Sequence, residues 1–180
     1  LRRMIYAMRI WHARYLAAER ENDPEIAAML RRVPFETPRT FREAVQSLWF
    51  VFAFTRLCGN WSGIGRIDKM LGPYLEKDLA ENRITLDEAR EILSHFFIKG
   101  CEWIQSDTPT GTGDAQHYQN IVLSGTDRDG CDVTNAVTYL VLDIVEELAI
   151  GDYPITVRLT DETDERLYRR IAEVMRYGGG

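Results

Sequence analysis

Apolar residues recur at Leu1, Met4, Ile5, Met8, Trp11, Tyr15 and Leu16, three or four apart, with Arg2, Arg9, Arg14 and Arg20 on the other faces. That spacing predicts a packed surface helix over 1–21. Asp23-Pro24 starts a second, short helix; Pro34 and Pro38 interrupt the pattern. Thr40-Phe41-Arg42-Glu43 is a capping box that opens a third helix. Its later part, Leu48 to Phe54, is apolar on every side, so it needs cover on all faces and belongs inside a large body. Cys58 to Gly65 is a glycine-punctuated break. Ile67, Met70, Leu71, Tyr74, Leu75 and Leu79 then return to helical spacing, with Gly72-Pro73 read as a bend that places Pro73 in a first turn.

A second capping box, Thr85-Leu86-Asp87-Glu88, opens a long helix with the face Leu86, Ala89, Leu93, Phe96, Phe97 and Ile104. The stretch 106–119 is polar, holds Pro109, Gly111 and Gly113, and predicts a loop. Asn120 to Gly125 reads as a short buried strand ended by the turn residues 126–130. A helix capped by Asp132 follows over 133–148, then a short strand over 154–159 and a last helix over 162–177. The order is that of a helix-rich α/β fold in which two strands flank a crossover helix and lie side by side in one sheet. Two strands do not make a stable sheet, so further strands have to come from outside them. The first residue is Leu1 rather than Met, and Gly178-Gly179-Gly180 follows straight on a helical pattern. Residues 1–180 are accordingly expected to be a fragment of one larger domain.

Composition narrows the function classes. Among the 180 residues, 45% are hydrophobic and 28% charged, which excludes global disorder. The formal charge of −6 offers no basic field for a phosphate backbone or an anionic lipid surface, so neither nucleic acid nor membrane is an expected partner. The longest apolar run, Leu48–Phe54, is far short of the roughly 20 residues that cross a bilayer. Cys58, Cys101 and Cys131 are sparse, widely spaced and odd in number, the pattern of reduced thiols in a cytoplasmic protein.

Several motifs fail on inspection. Asp127-Arg128-Asp129-Gly130 resembles a calcium loop, but Gly125 and Ala136 stand where the first and last ligands belong, so a strand-to-helix turn is expected. Gly59, Gly63 and Gly65 lack the preceding strand and following Lys of a phosphate loop. His12 and His95 have no partner one turn away and read as ordinary helix side chains. No metal site is expected: His117 with Asp114 has no further ligand nearby, and the three cysteines lack both C-x-x-C spacing and a His partner. His117 keeps an interest of its own, because with Tyr118 it ends a glycine-containing loop that leads into a strand, where α/β enzymes aim polar groups into a site.

Phe41-Arg42-Glu43-Ala44-Val45-Gln46, Gly65-Arg66-Ile67-Asp68 with Pro73 to Leu79, Ile84 to Ala89, and Phe96 to Lys99 occur in the order and spacing of the pyruvate formate-lyase family of glycyl radical enzymes. Gln119 to Gly125, Asp129-Gly130, Asp132 to Asn135 and Pro154 to Arg158 are similar to that family's next block. The resemblance implies a ten-stranded α/β barrel wrapped in helices. It also implies radical chemistry: a backbone glycyl radical, installed by an S-adenosylmethionine-dependent iron–sulfur activating enzyme, passes its electron hole to a cysteine that abstracts hydrogen from a small substrate. The product is a cleaved C–C, C–O or C–N bond, in a formate acetyltransferase, a dehydratase or another lyase. Cytoplasmic, anaerobic operation and a homodimer are expected with it.

The family's thiyl cysteine and its R-V-x-G-Y-like radical segment match nothing in these residues, so the resemblance assigns no catalytic residue here and the 180 residues alone are expected to be inert. The radical is the expected cofactor, carried elsewhere in the parent, with no metal or organic cofactor in this part. What the resemblance carries over is pocket wall: Asn60 and Trp61 before the Gly65-Arg66 block, and His117 and Tyr118 before the strand, as substrate-binding residues. The bulk of Trp61 departs from the small polar residues common in the diol dehydratases. The competing expectation is a non-catalytic helical interaction module that presents the aromatic helix 48–54 to a partner.

Overall fold

The computed structural model describes residues 1–57, 63–101, 119–150 and 153–177, in two compact units, Leu1–Asn60 and Trp61–Gly180. The expected residues Cys58, Gly59, Asn60, Trp61, Asp114, His117 and Tyr118 lie outside the described residues.

The first unit holds three helices, α1 (Arg2–Asn22), α2 (Pro24–Leu30) and α3 (Phe41–Arg56). Asp23 separates the first two. Its carboxylate accepts the Glu25 and Ile26 N–H groups at 3.0 Å each, and Pro24 sits in the first turn, where a missing N–H costs nothing. The Thr40 cap forms, its hydroxyl accepting the Glu43 N–H at 3.2 Å, but the Glu43 carboxylate reaches back one residue further than the expected box, to the Arg39 N–H at 2.6 Å. Phe50 of α3 meets Trp11, His12 and Tyr15 of α1 with ring centroids 5.0 to 5.6 Å apart.

His12 is buried there, its Nε2 donating to the Val33 carbonyl at 3.0 Å, as expected of a core histidine. On the apolar face of α1, Met8, Trp11 and Leu16 are half-buried, whereas Met4, Ile5 and Tyr15 are exposed, which corrects the expectation of a helix packed along its whole face. Within α3, Phe50, Phe52 and Ala53 are buried, but Leu48, Trp49 and Phe54 are half-buried and Val51 is 47% exposed, so the cover expected on all faces of 48–54 is incomplete among the described residues.

The second unit is built on a parallel sheet in the order β1-β2-β3, formed by β1 (Gly65–Arg66), β2 (Ile121–Ser124) and β3 (Ile155–Arg158). β2 and β3 are joined through α6 (Ala136–Leu148), the crossover that the pattern predicts. β1 and β2 are joined through α4 (Ile67–Ala80) and α5 (Leu86–Cys101), and α7 (Glu165–Met175) follows β3. β1 is an addition to the two expected strands. Two residues, one of them glycine, carry no alternation to read, and only the pairing of Gly65 with Ile121 and Arg66 with Val122 reveals it.

The core of this unit is Ile67, Leu71 and Leu75 of α4, Leu93 and Phe97 of α5, Ile121 and Leu123 of β2, and Val137, Val141 and Ile144 of α6, each at most 2% exposed. Three local expectations change. Pro73 lies inside a continuous α4, on its solvent side, and no bend precedes it. α6 starts at Ala136 under Asn135, whose Oδ1 accepts the Val137 N–H at 2.9 Å, because Asp132 is spent on the Thr134 N–H and hydroxyl. Finally, α7 is shorter at both ends than the pattern suggests. The loop at 127 is the expected turn: Asp127 Oδ1 accepts the Asp129 and Cys131 N–H groups at 2.8 and 3.0 Å, which hold its carboxyl below the usual range. The sheet is three-stranded among the described residues, and so is the extent of barrel architecture they display.

Candidate functional site

All three strands run the same way, so their starts lie together at one end of the sheet. The Ile64 and Gly65 N–H groups both donate to the Asn120 carbonyl, at 2.9 and 3.2 Å, and the Ile121 N–H donates to the Pro154 carbonyl at 2.9 Å. The Thr156 hydroxyl donates to Asn120 Oδ1 at 3.3 Å. Gly63 packs so close that a Cβ would stand 3.4 Å from the Asn120 carbonyl oxygen. Three chain segments, at 63–65, 119–121 and 153–155, are thereby stitched side by side.

Behind them lies the last turn of α5. Gln119 is 2% exposed, and its Nε2 donates to the Gly100 carbonyl at 3.4 Å. Tyr153 is fully buried, stacks edge-on against Phe97 with centroids 4.8 Å apart, and donates its hydroxyl to the Phe97 carbonyl at 3.2 Å. Gly100 makes this possible: a Cβ on it would meet Tyr153 Oη at 1.5 Å.

The four residues expected to bind substrate flank this end in sequence. Asn60 and Trp61 precede Gly63, and His117 and Tyr118 precede Gln119. The described residues bring Gly63 and Gln119-Asn120 together, so the segments expected to line a pocket continue into neighbouring strands; the four side chains themselves lie outside the described residues. Sequence reasoning missed Gln119, Tyr153 and Gly100 as members of this wall. The signal for Gln119 was its place directly after Tyr118, and for Tyr153 an aromatic residue directly before a strand.

Among the described residues, the side chains at this end are neutral. Amides, a phenol and a hydroxyl orient and exclude water, whereas no side chain among Gln119, Asn120, Tyr153 and Thr156 is an acid or base near neutral pH. Among the described residues no group of three His, Cys, Asp or Glu side chains is placed to hold a metal ion. His95 is exposed, Cys101 is half-buried and Cys131 exposed. No described helix is long and apolar enough to cross a membrane.

The sequence profile of the pyruvate formate lyase-like family matches residues 4–180. An isethionate sulfite-lyase of Nitratidesulfovibrio vulgaris is 33% identical over 97% of the chain and 23% of its own length. A glycyl radical enzyme from Archaeoglobus fulgidus superposes with a TM-score of 0.77 at 31% identity, over 97% of this chain and 24% of that one. A hydroxyproline dehydratase from Clostridioides difficile, solved with trans-4-hydroxy-L-proline bound, gives a TM-score of 0.81 at 26% identity, over 94% and 24% of the two chains. The chain thus spans about a quarter of the length of the relatives it matches. With the order of helices and parallel strands and the sequence profile in agreement, the chain belongs to the pyruvate formate lyase-like family of glycyl radical enzymes.

Proposed function

We propose that the polypeptide to which these residues belong is a glycyl radical lyase or dehydratase that cleaves a C–C, C–O or C–N bond in a small substrate, and that the start of the β1-β2-β3 sheet borders its substrate cavity. The observation that carries this is the convergence of the two expected lining segments on the Asn120 carbonyl. In this reading Asn60, Trp61, His117 and Tyr118 face the substrate, with buried Gln119 and Tyr153 holding the wall behind them. The three strands are part of a ten-stranded barrel, and both compact units belong to one domain of the parent.

The sequence contains no R-V-x-G-Y-like segment, and none of its cysteines falls where the family's thiyl cysteine does, so these residues do not fit the radical group and carry no step of its chemistry. The radical supplies hydrogen abstraction when it is installed. The residues here supply a dry, oriented enclosure, which is the protein's share in an enzyme whose cofactor does the difficult step. The chain by itself is inert. The names of its relatives support lyase or dehydratase chemistry over acyl transfer. Activation by an S-adenosylmethionine-dependent enzyme, a homodimer, cytoplasmic and anaerobic operation, and no metal or organic cofactor in this part complete the reading. A free-standing helical interaction module has lost its footing with the family assignment.

The test uses the full-length protein, activated without oxygen. Electron paramagnetic resonance is expected to show a carbon-centred glycine radical, and Trp61→Ala and Tyr118→Ala to raise KM while leaving radical content per protomer unchanged. An activated protein without that radical would sink the proposal. Wild-type KM in both variants would remove the cavity from this end of the sheet.

A further inference from the structure

We propose that Arg66 and Asp68 form a clamp that sets the axial position of β1 against β2, and that through it they are positioning residues for the wall at the opposite end of those strands. The inference rests on the reading that this wall borders the substrate cavity.

β1 pairs with β2 through only two residues, Gly65 with Ile121 and Arg66 with Val122. So short a ladder specifies register weakly, and a slip of one residue would turn every side chain of β1 to the other face. The residues flanking the ladder supply what it lacks. Ser124 ends β2 with φ of 58°, a left-handed conformation that a residue with a side chain seldom takes. Each of its polar groups is held. Its N–H donates to Asp68 Oδ2 at 2.6 Å, its carbonyl accepts Arg66 Nη2 at 2.7 Å, and its Oγ lies 2.8 Å from Thr134 Oγ1. Arg66 Nη1 continues to the Thr126 carbonyl at 2.9 Å.

Asp68 is fully buried in the first turn of α4. Besides Ser124 it takes the Thr138 hydroxyl at 2.9 Å on Oδ2 and the Lys69 N–H at 2.7 Å on Oδ1, while its own carbonyl accepts Asn135 Nδ2 at 3.1 Å. The start of α4, the end of β2 and the start of α6 therefore meet at one carboxylate. β3 closes on the same turn, because a Cβ at Gly125, whose φ is 80°, would come within 2.8 Å of Arg158 Cβ. Sliding β1 by one residue would strip Asp68 Oδ2 of both Ser124 and Thr138 while leaving it buried, and a buried polar atom left without a donor is costly. With β1 so short, any displacement at Arg66 reaches Ile64 and Gly65, the two N–H groups on the Asn120 carbonyl.

The test compares the full-length wild type with Asp68→Asn by hydrogen–deuterium exchange before activation. An amide in place of the carboxylate has one acceptor oxygen, so it cannot hold the Ser124 N–H, the Thr138 hydroxyl and the Lys69 N–H at once. The amides of Ile64, Gly65 and Ile121 are expected to exchange about tenfold faster, together with Ser124 and Lys69. Faster exchange at Ser124 and Lys69 alone overturns the clamp. Should Asp68→Asn fail to fold, Thr138→Val removes, at nearly constant volume, the hydroxyl that donates to Asp68 and accepts the Asn135 N–H; the Ile64, Gly65 and Ile121 amides are then expected to speed up by about threefold beside those at the start of α6, and wild-type exchange at Ile64 and Gly65 overturns the clamp. In the activated enzyme, Asp68→Asn is expected to raise KM about tenfold at unchanged radical content per protomer, whereas lost stability alone would lower the active fraction and leave KM as it was. Unchanged KM beside altered exchange overturns the positioning role. A wild type that takes up no radical overturns the proposed function instead, and the exchange pattern still decides the clamp.

Discussion

Gly100 and Tyr153 show how much one missing methyl group can determine. The Tyr153 hydroxyl occupies nearly the place that a Cβ on residue 100 would take, at 1.5 Å, and from there it reaches the Phe97 carbonyl. In an exposed helix, alanine would be the better residue by roughly 1 kcal/mol. Here Gly100→Ala is expected to destabilise the protein by about 2 kcal/mol through overpacking, read as a lower Tm of the full-length protein, with part of the loss recovered in Gly100→Ala/Tyr153→Phe. Additive losses in the double variant would show that the two residues do not compete for that space. His12 gives a second prediction at this scale. Burial lowers its pKa below 6.5, outweighing the hydrogen bond to Val33, and Arg9 pushes the same way. A histidine whose folded pKa is depressed takes its proton more readily in the unfolded chain, so its contribution is whole above about pH 6.5 and is lost as the pH falls below that value toward the folded pKa. The fall in Tm between pH 7 and 5 is accordingly expected to be shallower in His12→Gln than in wild type. An identical pH profile in the variant would refute this.

At the scale of elements, helix starts were readable because their chemistry is local. Thr40 and Thr85 each lie three residues before a glutamate, and both caps form; at Thr85 the Glu88 carboxylate takes the Thr85 N–H at 2.8 Å and its hydroxyl at 2.9 Å. α6 shows the limit of that logic. Asp132 and Asn135 are both suitable caps by type, and the choice falls to Asn135 because its Nδ2 is also drawn to the Asp68 and Val133 carbonyls, at 3.1 and 2.9 Å. The first of these partners is far away in sequence and invisible in a local pattern. Asn135→Ser keeps a cap acceptor and loses the two donations, whereas Asn135→Ala loses both. The expectation is a cost of about 1 kcal/mol for the first and about 2 kcal/mol for the second, measured as ΔTm, and equal losses would mean that capping contributes nothing. β1 was illegible for the same reason as the α6 cap, since its strand character comes wholly from Ile121 and Val122 across the ladder. Half of the candidate site was legible: the sequence pointed to the segments before β1 and β2, and the partners behind them, Gly100 and Tyr153, come from elements whose own patterns say only "helix" and "loop".

For the whole molecule the question is what the exposed apolar surface means. Leu1 before α1 is 93% exposed, Met4 and Tyr6 on it 54% and 68%, and Met175 and Tyr177 near the end of α7 are 76% and 71% exposed. Isolated apolar residues at a surface are ordinary, but a helix whose first turns present several together needs cover. The sheet makes a parallel demand. Parallel sheets are stable when both faces and edges are enclosed, yet in β3 Thr156 and Arg158 are exposed while Ile155 and Val157 are only partly covered. The net charge of −6 opposes association, although at ordinary ionic strength it is screened beyond about 8 Å and acts weakly between apolar faces in contact. Residues 1–180 expressed alone are therefore expected to self-associate, with a mean mass by light scattering that rises with concentration and falls when Met4, Ile5 and Tyr6 are replaced by serine. A monodisperse monomer across the whole range would show that the α1 surface needs no cover. Association that the serine replacements leave untouched would move the sticky surface to β3, an edge strand of the sheet among the described residues, whose Ile155 and Val157 are only half-buried.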